Sequence, residues 1–455
     1  LIQHYYENEA LNDNLSTKLF AINVDYYFNL PYFMIIVSEN LKRYDTGVKM
    51  YHMIFQKKML VDQWWIKNLI FNLQFFIDKV DKITYPHFFE QLEEYLIVLQ
   101  NANINLDSEL LLRYSKYGLK LDKLNIPISH ETNSENIKQS NKVLIFAGYG
   151  GITWNQSYLE NHSLGGSETA VVNIARCLPK HFEIYVAGNV TEETIDNVTY
   201  VHNFNLSKLI SNNHFHTIIV SRYISFMESY PMFQTNNLYI WAHDTVLSSY
   251  GCNVNDKSIL KKWNNKIDGI ICLTEWHKGH FENHYPELKG KIQLINNGLN
   301  LSIFPTISQK IPHSFVYSSC SERGLDVLLD FWPQILEKWN DAQLFISSYN
   351  PFPQNEAEHK MNVIIEKHPS ITHLGKLSQK ELYQRMAITE FWLYPTSWPE
   401  TSCITALEML KNRVICLYYP VAGLVNTLDK YGIQINKDNA LTTLFSLTEN
   451  NKTEI

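Results

Sequence analysis

The stretch Tyr394-Pro395-Thr396-Ser397-Trp398-Pro399-Glu400-Thr401-Ser402-Cys403-Ile404-Thr405-Ala406-Leu407-Glu408 holds the residue types best suited to chemistry. An apolar run ends at Tyr394, a loop follows, and the spacing predicts a helix from near Thr401. The first amides of such a helix, those of Thr401, Ser402 and Cys403, lack intrahelical partners and make an anion site. Glu400 stands before the helix and Glu408 about two turns into it, roughly 12 Å away by helical rise. A dry carboxylate beside an anion site is costly unless hydroxyls satisfy it, so the pattern suits a polyhydroxylated phosphate ester. The same spacing also fits a plain helix start, with Glu400 complementing the N-terminus and Glu408 in solvent.

Other segments offer related chemistry. In Leu164-Gly165-Gly166-Ser167-Glu168-Thr169 two glycines let backbone approach a phosphate, and Ser167 is placed to N-cap the following helix. Arg323, within Ser321-Glu322-Arg323-Gly324-Leu325-Asp326, is a fixed cation next to a glycine. Trp241-Ala242-His243-Asp244-Thr245 closes an apolar run, and a His-Asp pair at a strand's carboxyl end can reach a substrate. Gly148-Tyr149-Gly150-Gly151 imitates a dinucleotide fingerprint, but Thr153 holds the third glycine position and no helix opens there, which argues against a dehydrogenase. No Asp-x-Asp triplet occurs, so a diphosphate clamped through a divalent metal is not expected.

These residues need elements to hold them. From residue 1 to about 120 apolar residues recur at helical spacing, with Pro31 and Pro86 as punctuation. Pro31 to Lys58 reads as two amphipathic helices around Arg43-Tyr44-Asp45-Thr46-Gly47, which suits a tetratricopeptide-type hairpin or an unrelated bundle equally. Trp64, Trp65, Phe71, Phe75 and Phe76 are expected in its core. Residues 121–140 turn polar and read as a linker. Short apolar runs then begin at Lys142 and recur at Ile184, Thr217, Leu238 and Gly269, with helical stretches between several of them. The pattern restarts after Pro305, with strands expected at Ser314–Ser318, Gln343–Ser347, Ile371–Leu374, Phe391–Tyr394 and Val414–Leu417. Alternating β and α of this kind predicts an α/β fold of two doubly wound, Rossmann-like domains facing across a cleft, preceded by an all-α region. The expected limits are 1–120 for the helices, 121–140 for the linker, 141–305 and 306–435 for the two α/β domains, and 436–455 for a tail.

Composition narrows the classes. The 455 residues carry 39 Lys+Arg against 46 Asp+Glu, a net charge of −7, with no long basic run. Binding to nucleic acid or an anionic membrane by net charge is excluded. Hydrophobic content of 45% with 13% aromatics supports packed cores. No apolar stretch approaches the roughly 20 residues of a membrane helix. Cys177, Cys252, Cys272, Cys320, Cys403 and Cys416 form no Cys-x-x-Cys pair, which suits free thiols in a reducing, cytoplasmic setting. The chain opens at Leu1 with no signal-peptide pattern and reads as an internal fragment.

Taken together, the paired glutamates, the Gly165-Gly166 loop, Arg323 and His243 resemble the retaining glycosyltransferases of family 4, which have two Rossmann-like domains (the GT-B fold). The likeness spans about residues 141–430. It implies a transferase moving a sugar from a nucleotide-diphosphate donor, UDP by default, to a hydroxyl of a glycan, protein or lipid acceptor. Carried over by motif, Glu400, His243 and Arg323 would serve catalysis. Gly165, Gly166, Arg323, Thr401, Ser402, Cys403 and Glu408 would hold the donor's phosphates and ribose. The turn His373-Leu374-Gly375-Lys376-Leu377 resembles the place where the family pins the base, which implicates Gly375 and Leu377. The resemblance implies no permanently bound cofactor and no metal, and leaves the N-terminal helices free to recruit a protein partner. Two departures stand out: Tyr317-Ser318-Ser319-Cys320 lacks the family's second basic residue, and its Gly-Gly-x-Pro-Glu loop is reduced to Val421-Ala422-Gly423-Leu424. A scaffold built on a decayed pair of domains, or a sugar-nucleotide epimerase or phosphorylase, would use the same architecture.

Overall fold

The computed structural model of the chain describes residues 25–102, 104, 106, 108–122, 124, 140–252, 254–348 and 352–447. The helical pattern of residues 1–24, linker residues 123 and 125–139, and tail residues 448–455 lie outside the described residues. Two compact units result: residues 1–137 with 203–213, and residues 138–202 with 214–455.

Helical periodicity governs the first unit, whose α-helices are Leu30–Asn40, Tyr44–Lys57, Gln63–Asn72, Phe88–Asn101, Ser108–Ser115 and Asn203–Ser211. Pro31 lies in the first turn of its helix, where a missing N–H leaves no hydrogen bond unmade. Lys58 ends the second helix in a left-handed conformation. Phe76 is fully buried beside Gly47, where a Cβ would collide with its ring. Trp65 stands edge-on to Tyr32 at 5.2 Å, and Phe71 and Phe75 are buried, so these aromatics form core. The side chain of Trp64 lies outside the described residues.

In the second unit the short apolar runs become strands covered on both faces. The first sheet contains β1 (Lys142–Phe146), β2 (Glu183–Gly188), β3 (Glu193–Ile195), β4 (Val198–His202), β5 (His214–Ser221), β6 (Gln234–Trp241), β7 (Gly269–Cys272) and β8 (Ile292–Leu294). Their order is β3-β4-β2-β1-β5-β6-β7-β8, parallel except for the β3–β4 hairpin. The second contains β9 (Ile311–Ser318), β10 (Gln343–Ser347), β11 (Ile371–Gly375), β12 (Thr389–Tyr394), β13 (Ile415–Tyr418) and β14 (Ile433–Gln434). It runs β11-β10-β9-β12-β13-β14, all parallel. Sequence reading misses β3, β4, β8 and β14. Three of these are very short edge strands with polar residues, and β4 has half-exposed Thr199 and His202, so none shows an uninterrupted apolar run.

Both sheets reverse strand order beside their first strand, between β1 and β5 and between β9 and β12. Connections on the two sides leave in opposite directions there, and a crevice opens outside the carboxyl ends. Gly148–Gly151, Arg222 and Tyr223 follow the strands at the first crevice; Ser319–Arg323 and Pro395–Cys403 follow those at the second. Phe315, Phe391 and Trp332 pack beneath the second, which seats its loops on a rigid core.

Candidate functional site

Gly324 has φ +98°, and a Cβ there would lie 2.7 Å from the carbonyl oxygen of Pro395. Only glycine lets the loop after β9 pass that close to the loop after β12. The contact brings Arg323 to Glu400. The Arg323 Nη1 donates to Glu400 Oε1 at 3.0 Å, and the Tyr394 hydroxyl donates to the same oxygen at 2.9 Å. The Ser319 hydroxyl lies 3.3 Å from the Tyr394 oxygen. The guanidinium is seated over the Trp398 ring at 4.9 Å. Burial opposes its charge, but the Glu400 carboxylate together with Tyr394 and Cys320 outweighs this and holds the Arg323 pKa above the ordinary arginine range. Its Nε is buried and has no partner among the described residues.

Close to this pair lies a small open cleft. Ser163, Leu164, Gly166 and Thr169 line it from the first α/β domain, and Ser318, Ser347, Ser348, Leu377, Gln379, Leu382, Ile404, Thr405 and Glu408 from the second. Glu408 is 5% exposed, and its Oε1 accepts from the Tyr383 hydroxyl at 2.6 Å. Burial raises its pKa to about 7, against the opposing effect of that hydrogen bond. The Ser318 hydroxyl, at the end of β9, is buried and without a partner among the described residues. Gly375 has φ +70°, and its carbonyl accepts from the Ser347 hydroxyl and the Ser348 amide, both at 3.1 Å.

Thr401 joins the two α/β domains. Its hydroxyl donates to the His243 carbonyl at 2.6 Å, and its own carbonyl accepts from the Thr274 hydroxyl at 2.7 Å. Gly423, in the reduced loop, donates its amide to the Glu400 carbonyl at 2.7 Å. A Cβ there would collide with the Thr401 carbonyl and stand 2.7 Å from the Thr274 hydroxyl. Its φ of −69° is ordinary, so the conflict is steric alone. Gly423→Ala is expected to cost about 1–3 kcal/mol of stability through overpacking and to loosen this junction. Urea unfolding checks it, and an unchanged midpoint would refute the close fit.

His243 packs on Trp241 with ring centroids 4.5 Å apart, and its Nε2 is buried with no partner among the described residues. Burial, then the Arg222 charge and His277, lower its pKa to about 3, so the imidazole is neutral at pH 7. His277 Nδ1 accepts from the Leu273 amide at 3.2 Å, which leaves Nε2 to donate to the Asp244 carbonyl at 3.0 Å. That bond fixes the strand end bearing His243.

Two local expectations are corrected. The helix after Glu400 begins at Ile404 with Cys403 as its N-cap, not near Thr401, because the bonds of Thr401 hold the preceding backbone out of helical conformation. The first helical amides are therefore those of Ile404, Thr405 and Ala406. Ser167 is not an N-cap: Gly165 takes that place, and the Ser167 hydroxyl donates to Glu168 and accepts from Arg222 Nη1 at 3.0 Å.

Of the residues singled out in the sequence, Gly166, Leu377 and Glu408 line the cleft, and Gly375 braces it through Ser347 and Ser348. Arg323 and Glu400 pair beside it, while Thr401 ties to His243. Gly165, Ser402 and Cys403 do not line it, although each adjoins a residue of its wall or of the junction. Sequence reading gave no role to Tyr383, Tyr394, Ser318 or Arg222, because a single tyrosine, serine or arginine carries no spacing signal of its own.

No protein-family model matches the chain, and no curated protein matches it in sequence. Solved structures do share its shape. The Anabaena protein Alr3699/HepE in complex with UDP and glucose superposes with TM-score 0.50 at 13% identity, over 69% of this chain and 91% of that one. The catalytic domain of starch synthase IV from Arabidopsis thaliana, bound to ADP and acarbose, gives 0.50 at 10% identity over 69% and 93%. A glycosyltransferase from Rickettsia africae gives 0.50 at 13% over 68% and 87%. The fold is GT-B. In a GT-B fold the two reversal crevices are the places to look for ligands, and both carry polar side chains here. Among the described residues no helix is long and apolar enough to cross a membrane.

Proposed function

We propose that this chain is a retaining glycosyltransferase that moves a sugar from a nucleotide-diphosphate donor to a hydroxyl acceptor. The observation that carries the reading is the Arg323–Glu400 pair at the reversal of the second sheet, beside a cleft that ends on buried Glu408. Glu408 accepts hydrogen bonds from the ribose hydroxyls, and the backbone near Gly375 and Leu377 holds the base. Arg323 and the amides at the start of the helix Ile404–Lys411 take the charge of the departing diphosphate, the electrostatic contribution that dominates such reactions. This assignment uses no metal. Glu400 orients the donor sugar, and neutral His243 offers Nε2 to a sugar hydroxyl.

Glu400 Oε1 already accepts from Arg323 and Tyr394, so this reading does not use it as a nucleophile. The reading is therefore a same-face displacement: the bond from the anomeric carbon to the diphosphate oxygen breaks as the acceptor oxygen bonds to that carbon, and the acceptor proton passes to the leaving phosphate. UDP is the proposed donor nucleotide; the complex of the Anabaena neighbour with UDP and glucose supports it, and the ADP in the starch synthase complex makes adenine the base to compare.

Calorimetric titration with UDP, GDP and ADP tests the donor, followed by release of nucleotide from the matching sugar donor. One nucleotide is expected to saturate the cleft. Glu400→Ala is expected to lower turnover by about 100-fold, the loss typical of removing one transition-state contact. Unchanged turnover would remove Glu400 from the chemistry, and an isomerised donor without a new glycoside would favour an epimerase.

A further inference from the structure

Between β8 and β9 the chain crosses from one α/β domain to the other through residues 295–310. Asn300 Oδ1 accepts from the Ser302 amide at 3.2 Å and from the Ser302 hydroxyl at 2.7 Å, which opens a single helical turn, Leu301–Ile303. That turn delivers Phe304, and the following Pro305 keeps it in extended backbone at φ −75° and ψ 135°. The Phe304 ring stacks on that of Tyr383, with centroids 4.2 Å apart and planes 12° from parallel. Tyr383 is 2% exposed, and its hydroxyl donates to Glu408 Oε1 at 2.6 Å. A ring in the connector thus covers one face of the phenol that meets Glu408.

The connector makes a second contact with the same pair of helices. Lys310, its last residue, donates to the carbonyls of Met386 at 3.0 Å and Asn412 at 2.6 Å. These stand at the carboxyl ends of the helices Gln379–Ile388 and Ile404–Lys411, where unpaired carbonyls and the helix dipole favour a cation. Asn412 is 1% exposed, and its Nδ2 donates to the Glu408 carbonyl at 3.0 Å. Met386 follows Tyr383, and Asn412 follows Glu408, by about one helical turn. The two helices are therefore fastened just beyond the bond that their side chains share.

We infer that the connector sets the ribose-binding carboxylate: Phe304 and Tyr383 are positioning residues that hold Glu408 for the donor, and Lys310 fixes the helix ends that carry the pair. The inference rests on the reading of Glu408 as the ribose ligand and adds what aims it. A buried carboxylate has lost its water, and an aligned hydroxyl restores part of that stabilisation to the ionised form. Loosening Tyr383 must therefore show in the protonation of Glu408, whose pKa burial has raised to about 7 against the Tyr383 bond. Among the described residues Tyr383 is the titratable group that meets Glu408 from the neighbouring helix. On its own helix the Cys403 thiol is kept protonated by burial. Lys310 faces Glu390, Arg413 and Cys416, and burial lowers its pKa to about 8, so it is charged below that pH.

NMR of the full chain carrying isotope-labelled glutamate, with Glu408→Gln to assign the signal, follows this protonation without any ligand; calorimetry with UDP follows binding. Tyr383→Phe is expected to raise the Glu408 midpoint by about one pH unit, and Phe304→Ala by about half a unit, as a hydrogen bond to the charged form is lost or loosened. Phe304→Tyr keeps a ring on Tyr383 and should hold the midpoint of the parent. In Tyr383→Phe, UDP affinity should fall about tenfold at about pH 6 and stay within about twofold of the parent at about pH 8. The ratio of variant to parent cancels the titration of the diphosphate itself. A loss equal at both pH values, or a midpoint unmoved by Phe304→Ala, overturns the inference. If the alanine variant fails to fold, Phe304→Leu, which fills the space without a ring, takes its place with the same expected shift. If UDP binds and the midpoint ignores Phe304, the connector's role is lost and the donor reading stands. If the midpoint moves as expected while UDP, GDP and ADP all fail to bind, the positioning of Glu408 stands and the nucleotide reading falls.

Discussion

Arg323→Ala is expected to lower turnover of a nucleotide-sugar donor by about 100- to 1,000-fold, the range found when a preorganised donor to a developing negative charge is removed. In the free protein the guanidinium already rests on Glu400 and Trp398, so its position is set before any ligand arrives. One hydrogen bond, to Glu400, occupies it among the described residues, and its buried Nε has no partner. A diphosphate oxygen can take those remaining donors while the bond to Glu400 persists. Arg323→Lys is expected to recover little, because a point charge reproduces neither the fork nor the stacking on Trp398. Steady-state release of nucleotide checks the loss, with thermal unfolding to confirm that the variant is folded. Activity within about threefold of the parent would place charge neutralisation elsewhere; that factor is less than 1 kcal/mol. The stretch Tyr317–Cys320 supplies no second cation, which concentrates the expected effect on this side chain.

Nucleotide affinity should depend on pH through Glu408. Burial raises its pKa to about 7 in the free protein, so below that pH the carboxyl is protonated and above it ionised. Ribose hydroxyls donate to the ionised form, and binding therefore lowers the pKa and releases a proton. The sign follows: affinity rises with pH. If the bound pKa returns to the ordinary carboxylate range, the dissociation constant should fall about tenfold between about pH 6 and about pH 8. Glu408→Gln keeps a partner for Tyr383 and removes the titration, so it should weaken binding at the higher pH and flatten this part of the profile. The diphosphate itself titrates near pH 6, and the comparison with the Gln variant isolates the protein's share. Calorimetry in two buffers of different ionisation enthalpy measures the released proton directly. An identical profile in both proteins would sever Glu408 from the nucleotide.

Much of the architecture was legible in the chain because parallel strands buried on both faces must be uninterrupted apolar runs. Gln343–Ser347 and the helix Glu356–Lys367 show this: a short apolar stretch in one, helical spacing behind an Asn N-cap in the other. The positions of Glu400 and Arg323 were equally legible, since each sits where a strand's end must hand over to a helix, and Glu408 lies in the second turn of the helix that follows Glu400. The edge strands β3 and β14 were not, because pairing on one side asks little of their side chains.

Local sequence thus determined the elements, their alternation and the type of group at each strand end. Which of those groups touch was settled by folding. Arg323 and Glu400 are 77 positions apart and meet because two strands are neighbours and Gly324 leaves room for the Pro395 carbonyl. Thr401 and His243, separated by 158 positions, join through one hydroxyl. Tyr149, Tyr223 and Tyr250 looked like ordinary aromatics until the order of the first sheet gathered them at one crevice. Periodicity is a property of neighbouring residues along the chain, and it reports burial of a face. Contact between distant residues depends on strand order and loop direction, which no local pattern encodes.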